Sequence, residues 1–216
     1  MKHFITYCEI AAFLASLLAW KVIRGSRYLR LFPLLLLVIV LAEAYETFFR
    51  SAHQVSNAFL YNVQVPIQHL IYLAILYFAM EGKAHKRCIL WFMEGFGVFT
   101  IITDLFFTQP QHFNVLAYCV GSVLIIIGIV LKFYEMLETP AEFNFLRNPF
   151  FYMLFAFLLF NVGTLPYFTM INWLYFFKPD RNSLVMLSNV MSVLNYILYT
   201  TYALAFLWMI RKKASS

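Results

Sequence analysis

Apolar residues in this chain come in blocks, not stripes. Residues 34–41 read Leu-Leu-Leu-Leu-Val-Ile-Val-Leu without a polar member. Such a run lacks the alternation of a membrane β-strand and the one-sided spacing of a half-buried soluble helix. The blocks reach the roughly 20 residues that cross about 30 Å of hydrocarbon as a helix. They predict spans at about 4–23, 31–49, 58–80, 88–107, 114–136, 149–177 and 184–210. Helix-breaking groups separate them: Gly25-Ser26, Glu81-Gly82-Lys83, Thr108-Gln109-Pro110, Asn148-Pro149 and Lys178-Pro179-Asp180. The expected fold is all-α, a polytopic bundle of seven transmembrane helices making one domain over residues 1–216. The longest loop, near 137–148, has about a dozen residues, so no soluble domain is expected. The sixth span exceeds one crossing and is expected to tilt, kink near Pro166 or extend past the interface.

Composition agrees with the pattern. The chain is 63% apolar and 12% charged, with a mean hydropathy of +0.76. A soluble domain carries about a quarter charged residues. The net charge of +6 resides in short loops, where it reads as an orientation signal and a contact to anionic headgroups, not as a nucleic-acid surface. Cys8, Cys88 and Cys119 form no CxxC pair, so neither a disulfide framework nor a zinc knuckle is expected. An apolar run after Met1 to His3 invites comparison with a leader peptide. No small-x-small cleavage site follows it, however, and Lys21, Arg24, Arg27 and Arg30 come after it, which predicts a retained first span.

Charge also sets the expected orientation. With the N-terminus outside, twelve basic residues fall on the inner side and four on the outer. Lys83, Lys86, Arg87, Lys132, Arg147 and Arg211 to Lys213 are among the inner ones. The positive-inside rule then gives N-out and C-in.

Ionisable side chains inside hydrocarbon are costly and mark candidate function. They are Glu9, Glu43, Glu46, His69, Glu94 and Asp104. Glu43, Glu46 and Arg50 lie at i, i+3 and i+7 on the second span, with Glu46 and Arg50 a candidate interfacial ion pair. Asn62 and His69 are seven apart on the third span, with Pro66 between them. Ser188, Ser192, Asn195 and Tyr199 form a stripe on the seventh, and Asn161 and Thr164 sit on the sixth. Most of these fall in the outer half; Glu94 alone lies toward the cytoplasm. They predict an outward-facing polar pocket lined by Glu43, His69, Asn62, Asn161, Asn195 and Ser192, with Glu9 and Asp104 at its mouth. The competing account is ordinary hydrogen bonding between membrane helices. His3, His53 and His112 are outer-side histidines near Glu46 and Asp104, but no two have ligand spacing, so no metal or other cofactor is expected. The aromatic share of 20% reads as lipid-facing and interfacial rings, with a lipophilic pocket around Phe151, Phe155, Phe157 and Phe160 as the alternative.

Several seven-span classes are excluded. A retinal pigment needs a lysine where the seventh span has Asn195, Tyr196 and Tyr199, and ceramidase-type amidohydrolases need histidines there. Proline-glutamine loop transporters carry that dipeptide within spans, whereas Pro110-Gln111 lies in a loop. Tyr61-Asn62 opening the third span, Glu43 in the second, and Asn195-Tyr196-Ile197-Leu198-Tyr199 in the seventh resemble a group of small bacterial seven-span membrane proteins. The resemblance covers most of the chain, implies the architecture and carries no mechanism.

The expectation is therefore a receptor-like protein of a bacterial cytoplasmic membrane. It would bind a ligand from outside and pass a conformational signal to a separate partner at the basic inner loops. A small proton- or cation-coupled transporter using Glu43 or Asp104, with Glu94 as inner relay, is the alternative. An intramembrane lipid-modifying enzyme, with His69 and Glu43 or with Ser192, is third, because no recognisable catalytic motif is present.

Overall fold

The computed structural model describes residues 2–53, 57–106, 108, 112–138, 147–177 and 181–214. Side chains are described for 4–46, 58–106, 108, 112–138, 147–170 and 185–213. Among the described residues the protein is all-α, 91% helical, with no strand. In order the helices are α1 (Lys2–Leu18), α2 (Trp20–Ile23), α3 (Leu31–His53), α4 (Asn57–Ala79), α5 (Lys83–Phe106), α6 (Val115–Glu138), α7 (Pro149–Phe177) and α8 (Arg181–Ala214).

Among the described residues, five stretches are long and apolar enough to cross a membrane: Ala58–Ala79, Lys83–Phe106, Val115–Glu138, Pro149–Met170 and Val185–Lys213. Phe4–Leu18 is a shorter apolar helix. Large apolar side chains stay on the outside of these helices, including Trp91, Ile101, Leu105, Phe155 and Leu204. Water would not tolerate so much exposed apolar surface, whereas acyl chains would. The chain is a multi-pass helical membrane protein.

Its residues cluster into two compact units. The first comprises Met1–Ala19 and Asn144–Ser216. Within it α8 packs against both α1 and α7. The buried side of α8 runs Leu198, Tyr199, Tyr202, Ala205, Phe206 and Met209, at helical spacing. That of α1 is small apart from Glu9: Ala12, Ala15 and Ser16. Small residues allow helix backbones to approach where no hydrophobic effect drives them together. Gly163 serves the α7–α8 contact in the same way, since a Cβ there would stand 2.7 Å from Leu194 Cδ1.

The second unit is Trp20–Phe143. Here α4 is the hub, touching α3, α5 and α6, while α5 and α6 also touch each other. On α3 the buried side is Phe32, Leu35, Leu36, Ile39 and Ala42, and Leu34, Leu37 and Leu41 face out. Pro33 falls in the first turn of α3, where a missing N–H is harmless. Pro66 lies inside α4, yet the helix continues through it.

Candidate functional site

The second unit is organised by a heptad along α6 and the residue just before it. Positions 114, 121, 128 and 135 stand seven residues apart, about 10.5 Å per step at 1.5 Å per residue. The first three meet Asn62, His69 and Leu76 on α4 and Thr103, Phe96 and Ile89 on α5, each set seven apart, rising in number on α4 and falling on α5, while 135 meets the connection between α4 and α5 at Gly82. Helices α4 and α6 are thus parallel and α5 antiparallel, and their seam consists of four layers.

The first layer is polar. Asn114 precedes α6 and caps it, its Oδ1 accepting the Ala117 N–H at 2.9 Å. Its side-chain amide donates to Thr103 Oγ1 at 2.9 Å and to Asp104 Oδ1 at 2.6 Å, both on α5. Its backbone N–H donates to Asn62 Oδ1 of α4 at 2.8 Å, and Asn62 Nδ2 donates to the His112 carbonyl at 2.9 Å. One residue earlier, the Tyr61 hydroxyl donates to Glu46 Oε2 of α3 at 2.6 Å. Consecutive helical residues point about 100° apart. The Tyr61-Asn62 pair therefore ties α4 to α3 on one side and to the start of α6 on the other.

His69 forms the second layer, buried at 6% exposure. Its Nδ1 lies 2.8 Å from the Val65 carbonyl, which can only accept, so Nδ1 carries the proton. Nε2 is then the acceptor for the Ser122 hydroxyl at 3.3 Å. Phe96 and Tyr118 flank the ring, with centroids at 5.6 and 5.5 Å. Gly121 makes room for it: a Cβ there would collide with His69 Cδ2 and lie 2.8 Å from Phe96 Cε2. In the third layer Gly128 plays the same part for Leu76 and Ile89, whose Cδ1 atoms would stand 2.8 and 3.0 Å from an added Cβ. All three residues are buried, and this layer is dry and apolar.

Charge returns in the fourth layer. Glu135 on α6 is 8% exposed and Lys132, one turn earlier, 5%. Glu135 Oε1 accepts the Gly82 N–H at 2.9 Å and lies 2.7 Å from His85 Nδ1. Its Oε2 accepts the Glu81 N–H at 3.1 Å and sits 3.4 Å from Lys132 Nζ. The carboxylate thereby caps the first turn of α5, where unsatisfied N–H groups and the helix dipole favour an anion. A Cβ at Gly82 would stand 2.9 Å from Glu135 Oε1 and would push the carboxylate off its present position.

Of the expected pocket residues, Asn62 and Asp104 are brought together through Asn114, with His69 one layer deeper. Glu43 is half-buried on α3. Glu46 is held by Tyr61, and the side chain of Arg50 lies outside the described residues, as do those of His3 and His53. His112 is exposed. In the first unit Glu9 and Asn161 are buried at 3% and 2% exposure. There Asn161, Ser192 and Asn195 donate to carbonyls of their own helices, those of Phe157, Ser188 and Met191 at 2.8, 2.9 and 2.9 Å. Glu94 is exposed on α5. Among the described residues no three His, Cys, Asp or Glu side chains gather as metal ligands.

Thr103, Asn114, Ser122, Lys132 and Glu135 went unrecognised as site residues in the sequence. For Asn114 and Glu135 a signal was present: on the 114 heptad two positions are Gly and two are polar, in a mostly apolar segment. Comparison with protein-family models, with curated proteins and with solved structures gives no match.

Proposed function

We propose that the chain is a seven-span, N-out/C-in receptor-like protein whose α4–α5–α6 seam carries a signal from an outer ligand site to an inner docking surface. The carrying observation is that α6 is held by polar contacts at both ends, to α4 and α5 at one and to α5 and the connection before it at the other, with an apolar plug between. Its polar ends, Asn114 and Glu135, lie 21 residues apart, about 32 Å, close to one hydrocarbon thickness. Both networks then sit at interfaces, where solutes and partners can reach them.

Glu43, Glu46 and Asp104 make the outer end acidic, which favours a cationic ligand. A cation that draws Asp104 from Asn114 removes one of the two side-chain ties between the start of α6 and α5, and the Glu135 end feels the shift through a rigid helix. Lys83, Lys86 and Arg87 border that inner end and offer an acidic partner a docking surface. Transport along the seam is disfavoured by the same geometry, because Leu76, Ile89 and Gly128 close the path with no polar group.

A thermal-shift panel of mono- and polyamines against matched carboxylates, on protein in nanodiscs, tests the site. Amines are expected to stabilise the parent and not Asp104→Asn. Spin labels at Arg87 and Glu138 should then report a distance change with the same amines. Stabilisation that survives Asp104→Asn, or amine-dependent flux of a pH dye in proteoliposomes, would overturn the proposal.

A further inference from the structure

The connection between α2 and α3 is wound into tight turns. The Ser26, Leu31 and Phe32 N–H groups donate three residues back, to the Ile23, Tyr28 and Leu29 carbonyls at 3.0, 3.3 and 3.2 Å. Bonds of that reach bring side chains three apart onto one side. Burial follows the same interval. Ile23 and Leu29, at 0% and 8% exposure, fasten the connection to the protein, while Arg24, Arg27 and Arg30 are all exposed. Among the described residues none of these three guanidinium groups forms an ion pair.

Arg30 also stands immediately before α3, and the face it begins continues along that helix. Leu34, Leu37 and Leu41 follow it at 4-3-4 spacing, and all three are exposed. From Arg30 to Leu41 is eleven residues, about 16 Å. One leaflet holds about 15 Å of hydrocarbon, half of the whole thickness. A basic head thus leads into an apolar strip one leaflet deep.

We infer that the Arg24–Arg27–Arg30 turn and the Leu34–Leu37–Leu41 strip hold one anionic phospholipid, its phosphate on the arginines and an acyl chain on the leucines. Guanidinium groups match phosphate oxygens in planar pairs and are more weakly hydrated than an ammonium. An acidic protein partner would use the arginines equally well, but it has no use for a strip that runs into hydrocarbon. Every residue involved lies in the second unit. The site needs a bilayer, and it needs neither a particular orientation in it nor the outer ligand site.

Quenching by brominated acyl chains tests it, on the full chain in phosphatidylcholine vesicles. Trp20, Trp91, Trp173 and Trp208 are replaced by Phe, and Leu37→Trp is the single reporter, with Val130→Trp on the exposed side of α6 as its control. At equal mole fraction, brominated phosphatidylglycerol should be preferred over brominated phosphatidylcholine about fivefold at Leu37→Trp, the worth of one basic contact to an anionic lipid. Arg24→Gln, Arg27→Gln and Arg30→Gln together should return that ratio to parity, and Val130→Trp should show parity throughout. On the otherwise unaltered chain, native mass spectrometry should find phosphatidylglycerol retained from mixed vesicles and lost in the triple Gln variant, with helicity unchanged. Parity at Leu37→Trp with the arginines intact, as expected if they serve an acidic protein, would overturn the inference. So would a preference that survives the triple variant, or one abolished by inorganic phosphate at matched ionic strength, which marks a site for free anions.

Discussion

Replacing Glu135 with alanine is expected to be among the most destabilising single changes in the second unit. The carboxylate accepts two backbone N–H groups, contacts His85, and lies 3.4 Å from a Lys132 ammonium that is itself 5% exposed. Removing one member of a buried pair strands the other charge, at about 3–5 kcal/mol. Loss of the cap on α5 adds about 1 kcal/mol. Water at the inner interface screens some of the stranded charge, so about 3–4 kcal/mol is expected overall. The double variant Lys132→Met/Glu135→Leu removes both charges and should retain only the cap deficit, about 1 kcal/mol. Unfolding by sodium dodecyl sulfate in mixed micelles, followed by helical circular dichroism, measures both. A Glu135→Ala protein within about 0.5 kcal/mol of the parent would refute the clamp. So would a double variant no more stable than the single one, since the charge would then not have been the cause.

Three further substitutions probe the other layers. Gly121→Ala should destabilise by about 1–3 kcal/mol in the same unfolding assay, because its methyl overlaps His69 and Phe96, which are buried and cannot withdraw freely. Asn114→Ala loses a helix cap and two side-chain hydrogen bonds and should cost about 2–3 kcal/mol, with amine stabilisation lost as well. Ser192→Ala and Asn195→Ala should each stay within about 0.5 kcal/mol of the parent and keep the amine response, since both side chains bond to carbonyls of their own helix.

Helix content and membrane class were legible because they depend on sums over long windows. Twenty apolar residues in a row have few alternatives to a buried or lipid-bathed helix, whatever their neighbours. Polar residues were judged singly, by depth and by spacing along one helix, and that picked out part of the seam. The seven-residue interval from Asn62 to His69 was visible and falls on the seam. Its counterpart on the fifth span was not, because two of the four positions are glycines, which carry no side chain to mark a face. Lys132 and Glu135 were hidden differently: a lysine near a span end reads as a loop charge until a carboxylate one turn away is seen to bury it.

Depth alone therefore gives the cost of a polar group, while its partner determines what that cost secures. Asn195 and Asn62 have the same side chain, and both lie on apolar helices. Asn195 returns its amide to Met191 of its own helix, which holds nothing else in place. Asn62 reaches the backbone at residues 112 and 114, so a rotation of α4 and the position of α6 are coupled. A ligand can do work only on contacts of the second kind, because only these differ between two arrangements of the helices. On that ground we place the proposed ligand site at the Asn62–Asn114–Asp104 layer and not at the polar stripe of α8. Under the same proposal Glu135 is the point at which a displacement of α6 is felt at its far end, through the Glu81 and Gly82 N–H groups just before α5.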